Sequence, residues 1–340
     1  MPRNKELGLT ITNSCNLVHR VLVVDREGEC FICACESWLP ISVGNITKFD
    51  RLEDVWTSPA AIALQTDVDS KKFTHCAVDR CGITNRDIQV IEFTGRQDSN
   101  KDCYYVSINI DDSCNLRCPS CRPNAIMNTE GQDYDRRLNM VTHLIKLLEN
   151  FNQPTHIVMS GNGDPLASAI MRPLLHNYKP KDNHTIRLFT NGLLLAKQLT
   201  DNSIVNNITQ YFISTDAGSK DVYENVRLGG SHNVLLKNFD FLRDLVKKTK
   251  AHVLLKFVLQ KDNYLDQEQF IKLAQDYDFK AVINRLEDWG TWQTFSEHDV
   301  IGNVDHPEHH DAVAELRRVY GLYSDSVQFN PSLASLCQHQ

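Results

Sequence analysis

Three cysteines with chemical potential stand close together, Cys114, Cys118 and Cys121, in the stretch Ser-Cys-Asn-Leu-Arg-Cys-Pro-Ser-Cys with spacing C-x3-C-x2-C. Three thiolates can hold three corners of a cubane [4Fe–4S] cluster and leave the fourth iron without a protein ligand, open to a small molecule. A closed structural metal site uses four protein ligands. The alternating run Tyr-Tyr-Val-Ser-Ile-Asn-Ile over 104–110 precedes the triad and reads as a strand, so the thiols sit in the loop that follows it. Part of a zinc site is the alternative reading, and the segments downstream weigh against it.

The elements that must position this loop alternate in type. Strand-like runs fall at 104–110, 155–160, 185–190, 210–215, 252–260 and 279–284. Apolar residues recur at helical spacing over 134–150 (Leu138, Val141, Leu144, Ile145, Leu148) and over 232–249 (Val234, Leu235, Phe239, Leu242, Val246). Strands separated by helical stretches predict an α/β fold with a parallel sheet and crossover helices. Such sheets carry their chemistry at the C-terminal strand ends, where the triad lies. Residues 284–308 read as a long loop over the mouth of this sheet, 309–321 as a last helix, and 325–340 fit either class.

The 340-residue chain carries 36 basic and 43 acidic residues, a net charge of −7, with the basic residues scattered. That excludes the electrostatic footprint of a general nucleic-acid binder. The N-terminus shows no apolar secretion-signal core and no run is long enough to span a bilayer, which predicts a cytoplasmic protein without membrane partners. Eleven cysteines in such a chain argue for metal binding over disulfides.

The triad and four further segments in the right order resemble the radical S-adenosylmethionine (radical SAM) enzymes. Ser160-Gly161-Asn162-Gly163-Asp164-Pro165 follows the second strand and resembles the family's Gly-Gly-Glu-Pro motif, whose carbonyls receive the S-adenosylmethionine ammonium; Asn162 is insertion-like and Asp164 replaces Glu. Asn191 and Gly192 end the third strand, Ser214 and Asp216 the fourth, where relatives contact the ribose and methionyl parts. Tyr223-Glu-Asn-Val-Arg227 resembles the stretch whose Arg meets the carboxylate, which suits a planar guanidinium. Ser120 stands where relatives carry an aromatic near the adenine. The resemblance implies a partial (β/α)6 barrel over about 99–308, followed by a C-terminal helix and tail over 309–340. It also implies a [4Fe–4S] cluster on Cys114, Cys118 and Cys121. S-adenosylmethionine would bind the open iron, and cleavage to a 5′-deoxyadenosyl radical would abstract a substrate hydrogen. A one-electron reductant such as flavodoxin or ferredoxin would be needed.

Residues 1–98 hold six more cysteines. A strand pair at 21–24 and 30–35 is joined around Asp25-Arg-Glu-Gly28, and a helix is predicted over 53–65. Cys15, Gly28 and Cys33 (C-x12-G-x4-C), then Gly44-Asn45-Ile46, Val55-Trp56-Thr-Ser and Cys76-x4-Cys81, resemble the SPASM/twitch module that binds auxiliary iron–sulfur clusters. The module usually follows the barrel; here it forms a small α+β domain ahead of it. Four fitting cysteines, Cys15, Cys33, Cys76 and Cys81, imply the twitch form with one auxiliary [4Fe–4S] cluster, with Cys30 or Cys35 as possible substitutes and a four-thiolate zinc ribbon as the alternative. Cys33 and Cys35 share one strand face and Cys30 takes the other. A four-thiolate cluster suits electron transfer, so the expected outcome is oxidation of a peptide or protein. Dehydrogenation of a sugar or aminocyclitol-like small molecule, or a non-catalytic electron carrier, are the alternatives. Cys103 and Cys337 are unassigned, Cys337 being a candidate hydrogen-atom donor. Trp289 and Trp292 are candidates for lining a substrate cavity, and His306, His309 and His310 read as solvated.

Overall fold

A computed structural model describes residues 15–34, 37–77, 81, 103–160 and 162–338. Cys35, Gly161 and the expected boundary near residue 98 lie outside these. The described chain divides into two compact units. One takes in the residues up to Asp112, with Asn128–Gly163 and Ser168–Arg187; the other takes in Ser113–Met127, Asp164–Ala167 and the chain from Leu188 onward.

In the first unit, β1 (Val21–Val24) is buried at all four positions and turns through Asp25–Gly28 into β2 (Cys30–Phe31), antiparallel to it. Asp25 Oδ1 closes the turn by accepting from the amides of Glu27 (2.9 Å) and Glu29 (2.8 Å). Gly28 has φ +83°, and a Cβ there would meet the Asn45 side chain at 3.1 Å. Asn45 reaches back through Nδ2 to Glu27 O (2.9 Å), and the Ile46 amide donates to Gly28 O (2.7 Å). The Gly28 and Gly-Asn-Ile landmarks thus pin one turn against one loop. The single helix expected over 53–65 is two, α1 (Asp54–Thr57) and α2 (Pro59–Asp69), because Ser58 is extended and caps α2 through Ala61 N while Pro59 occupies its first turn.

β1 does more than form a hairpin. It runs parallel to β3 (Tyr104–Ile108), with Val21 opposite Tyr105, so the N-terminal segment extends the sheet. A strand apolar on both faces needs covered neighbours. Trp56 supplies part of the cover: its Nε1 donates to Val21 O (3.2 Å) and its ring meets Tyr104 at 4.8 Å and Phe151 at 6.1 Å. β4 (Thr155–Met159) pairs parallel with β3, and the order continues to β5 (His184–Thr190). The crossover helix α3 (Gln132–Asn150) buries Met140, Val141, Leu144 and Leu148, close to the face read from its periodicity, and the short α4 (Arg172–His176) precedes β5.

In the second unit the end of β5 adjoins β6 (Ile208–Ser214), followed in order by β7 (His252–Leu259), β8 (Lys280–Arg285) and β9 (Val327–Phe329); β6 to β9 are parallel. The helices are α5 (Leu195–Leu199), α6 (Lys220–Val226), α7 (His232–Thr249), α8 (Gln267–Asp276), α9 (His309–Tyr323) and α10 (Pro331–Gln338). β9 and α10 resolve the ambiguous tail. Burial alternates along β6 and β7: Tyr211, Ile213, Val253, Leu255 and Phe257 are buried, whereas Phe212, Ser214, Leu254, Lys256 and Val258 are half-buried. The buried face packs under helices, as in the Phe257–Phe270 contact at 5.0 Å. The opposite face stays half-buried, which is unusual for parallel strands. Among the described residues no helix is long and apolar enough to cross a membrane.

One close approach fixes the loop after β6. A Cβ on Gly218 would lie 2.1 Å from the Gln269 carbonyl carbon and 2.2 Å from the Phe270 nitrogen at the start of α8. The amides of Gly218 (2.6 Å) and Ser219 (3.0 Å) donate to Asp266 Oδ2. Gly218→Ala is therefore expected to destabilise the chain by about 1–3 kcal/mol in denaturant unfolding. Gly321→Ala, inside α9 where a Cβ meets nothing within 4 Å, is expected to stabilise it by about 0.5–1 kcal/mol.

Candidate functional site

The triad loop leaves the first unit at Asp112 and returns to it at Asn128. Asn128 Nδ2 donates to both Asp111 and Asp112 at 2.7 Å, and Arg137 Nη1 donates to Asp112 at 3.2 Å, a set of half-buried polar contacts. Within the loop the Cys114 amide donates to Ile126 O (2.8 Å), and the amides of Cys121 (2.9 Å) and Arg122 (3.0 Å) both donate to Cys118 O. That turn holds the second and third cysteines at fixed spacing. The Arg117 amide donates to Leu228 O (3.1 Å), tying the loop to the segment after α6.

Each of the three sulfurs receives a side-chain donor: Asn191 Nδ2 at 3.8 Å from Cys114, Arg227 Nη1 at 3.5 Å from Cys118, and Arg122 Nη2 at 3.7 Å from Cys121. Burial pushes the Cys114 thiol up to about 11, and pushes Cys118 up against the pull of Arg227. Burial opposes the charge of Arg122, yet the Cys121 sulfur it touches, with Cys114 and Cys118, outweighs that and raises its pKa.

The loop after β4 is organised by Asp164. Its buried carboxylate accepts from Thr190 Oγ1 (2.8 Å) and Asn191 N (2.7 Å) through one oxygen and from Leu166 N (2.9 Å) through the other. Its own amide donates to Ser113 O (2.8 Å). Asn191 is thereby held with Nδ2 on Asn115 Oδ1 (2.9 Å) beside Cys114. Ser160 donates to Asn109 Oδ1 (3.2 Å); Asn162 is exposed, Gly163 half-buried and Pro165 buried. Ser214 lies on the half-buried sheet face.

Asp216 and Arg227, both expected at S-adenosylmethionine, are found on each other. Arg227 Nη2 is 2.5 Å from Asp216 Oδ2, and Asp216 Oδ1 accepts from Val258 N (2.8 Å). Both carboxylate oxygens are engaged inside the protein, in spite of burial that pushes the Asp216 carboxyl up. Arg227 keeps one donor in hand: its buried Nε has no partner, nor does the buried hydroxyl of Tyr223.

The N-terminal cysteines form a second set. Burial pushes Cys76 up to about 12, reinforced by Cys33, Cys15 and Cys81 and by Asp67. Cys81 is buried with Leu17, Val21 and Val23, and Cys15 packs against the same cluster. Cys30 points elsewhere, its Sγ 3.9 Å from Gly28 O, with Glu29 and Asp25 as its charged neighbours. Among the described residues no three Cys, His, Asp or Glu side chains are grouped as about a single ion. The donor chemistry suits an iron–sulfur cluster at the triad: three thiols on one loop, each met by a side-chain donor, with the orphaned buried guanidinium nitrogen of Arg227 beside Cys118.

Periodicity missed Arg122, marked only by its contact with Cys121, and Asp111, Asp112 and Asn128, marked only by their bonds to one another. His306 and His309 bond the carbonyls of Glu297 (3.1 Å) and Val300 (2.9 Å). Trp292 stacks on His298 at 4.1 Å, while Trp289 is exposed. Cys337 is half-buried on α10, and Cys103 bonds its neighbour's carbonyl at 3.5 Å.

Comparison with known proteins bears on the whole arrangement. The profile of the radical SAM superfamily matches residues 108–277, half of the chain, and that of the SPASM iron–sulfur cluster-binding domain matches 15–82. GTP 3′,8-cyclase of Limosilactobacillus fermentum is 31% identical over 198 residues, covering 54% of this chain and 57% of the relative. The enzyme of the same name from Lactiplantibacillus plantarum is 29% identical over the same coverage. The chain thus spans little more than half the length of these curated relatives. Among solved structures, Streptococcus suis SuiB bound to precursor peptide SuiA aligns over 94% of this chain and 72% of its own, at 14% identity and TM-score 0.43. The protein anSMEcpe with bound AdoMet aligns over 67% and 61%, at 18% identity and TM-score 0.42. The chain belongs to the radical SAM superfamily, with a SPASM iron–sulfur domain at its N-terminal end.

Proposed function

We propose that this protein cleaves S-adenosylmethionine reductively at a [4Fe–4S] cluster held by Cys114, Cys118 and Cys121, and abstracts a substrate hydrogen with an oxidative outcome. The observation that carries this reading is one loop with three cysteines, each sulfur met by a side-chain donor. When bound, the cluster and S-adenosylmethionine supply the radical chemistry. The chain's residues supply position and charge. Asp164 fixes the Thr190–Asn191 turn against the triad loop. The Asp216–Arg227 pair sets a guanidinium on Cys118, and its spare Nε suits a carboxylate such as that of S-adenosylmethionine. The segment 160–165, of which Gly161 lies outside the described residues, is the part of the sequence that would receive the amino acid moiety, and Ser214 offers a half-buried hydroxyl. Cys15, Cys33, Cys76 and Cys81 hold one auxiliary [4Fe–4S] cluster, which takes the electron that a substrate radical loses on becoming product.

A peptide or protein is the substrate favoured here, because the resemblance is to enzymes whose SPASM/twitch modules accompany modification of peptides or proteins, or oxidation of a sugar-like small molecule. A nucleotide is the second reading, supported by the curated relatives named GTP 3′,8-cyclase and by Lys256 beside Phe189 and Phe212 on the half-buried face. Coupled turnover decides between them: S-adenosylmethionine consumption accelerated by GTP favours the nucleotide, whereas acceleration only by peptide favours the first.

After anaerobic reconstitution and dithionite reduction, S-adenosylmethionine is expected to yield 5′-deoxyadenosine, and Cys118→Ala is expected to abolish that yield. Iron should fall from about eight to about four per chain in the variant. Retention of the yield by Cys118→Ala would remove the proposal. Asp164→Asn keeps the shape but turns an amide N–H toward Asn191 N, leaving buried donors unmatched. It is expected to weaken S-adenosylmethionine binding at least about tenfold, a loss near 1.4 kcal/mol, measured by equilibrium binding to the reconstituted protein.

A further inference from the structure

We propose that Arg122 sets the reduction potential of the cluster held by Cys114, Cys118 and Cys121, its guanidinium against Cys121 stabilising the added electron. This rests on the cluster assignment made above and adds a residue that neither the family motifs nor the sequence pattern marks.

Arg122 immediately follows the third cysteine and is 8% exposed, although Cys121 itself is exposed. Its amide is anchored on Cys118 O at 3.0 Å, which fixes where the side chain starts. Its Nη2 ends 3.7 Å from Cys121 Sγ. The other two sulfurs already have donors from remote segments, Asn191 after β5 and Arg227 after α6. Arg122 therefore completes a set in which every sulfur has a side-chain donor, Cys114 having the Leu116 amide as well at 3.4 Å, and it does so at the most water-accessible of the three. Cluster potentials respond to net charge, to hydrogen bonds on sulfur and to solvent exposure, and Arg122 acts through all three. A one-electron reductant such as dithionite or a ferredoxin adds one negative charge to the cluster. A cation touching a ligand sulfur favours that reduced form more than the oxidised one. The same cation shields an exposed thiolate from water.

The test is potentiometry followed by electron paramagnetic resonance on the reconstituted full chain, reading the reduced-cluster signal that S-adenosylmethionine perturbs, since only a centre with an open iron responds to it. Arg122→Gln, with full iron content, is expected to lower the reduction equilibrium constant about tenfold, a shift of about 59 mV to lower potential. Arg122→Lys keeps the charge without the fork and is expected to keep at least half of that difference. A full-iron Arg122→Gln that reduces at the parent potential overturns the proposal, as does an Arg122→Lys that falls as far as Arg122→Gln. If Arg122→Gln fails to hold iron, Arg122→Lys decides: the parent potential supports the proposal and a tenfold loss overturns it. Failure of the cluster assignment looks different, because Cys118→Ala would then keep the signal that S-adenosylmethionine perturbs.

Discussion

A single buried carboxylate, that of Asp164, holds together the segments on which the candidate site depends. Through side chain and backbone it joins the triad loop at Ser113, its own loop at Leu166 and the turn at Thr190–Asn191. Burying a carboxylate is unfavourable unless donors surround it. Burial does push the Asp164 carboxyl up, but the amides of Asn191, Leu166 and Ala167 and the Thr190 hydroxyl all act against that shift. The arrangement is directional: the amides can only donate, so the acceptor form of the side chain is the one the site is built for. A glutamate, as in the family's usual motif, would need one more methylene of room. Here the shorter side chain is met by backbone drawn close enough for contacts of 2.7–2.9 Å.

The Asp216–Arg227 pair follows the same logic one strand further along. A buried carboxylate paired with a largely buried guanidinium is stable only if each is also hydrogen-bonded elsewhere. Asp216 takes the Val258 amide and Arg227 gives a second bond to Cys118. The loop geometry that allows this includes Asp216 at φ +57°, a conformation that aspartate tolerates better than most side chains. Rigid placement of a guanidinium next to a ligand sulfur therefore comes from strand β6, strand β7 and helix α6 together.

Much of this was legible in the residues. The α7 boundaries match the periodicity, β3 to β8 lie within two residues of the alternating runs, and the turn landmarks Gly28 and Asn45 meet in space. The rest was illegible for identifiable reasons. β1 pairing with β3 joins residues more than eighty positions apart, and a strand apolar on both faces carries no period to announce its neighbours. The break at Ser58 is a capping event that hydrophobic spacing does not register. Asn128, Arg137 and Arg122 act through single polar contacts at aperiodic positions. Asp216 and Arg227 were recognisable as important, but their mutual pairing depends on a loop conformation no motif encodes.

The two thiol sets differ in how their charge is provided for, and the difference matches the work each is assigned. In the N-terminal set the strongest influences on Cys76 are burial, the other three thiols and Asp67, all of which disfavour a thiolate. Cys81 and Cys15 pack with Leu17, Val21 and Val23 like small apolar groups. Ionising the four thiols together requires the positive charge of metal, so metal binding and proton release are coupled there. A cluster on four such thiols would be held by saturation, with no vacancy to exploit. The triad loop instead brings two guanidiniums and an amide to its three sulfurs. Part of the compensation for thiolate charge is thereby built into the protein. A cluster that must exchange a ligand on one iron without loosening from the chain needs that kind of support, because its fourth corner contributes nothing to its retention.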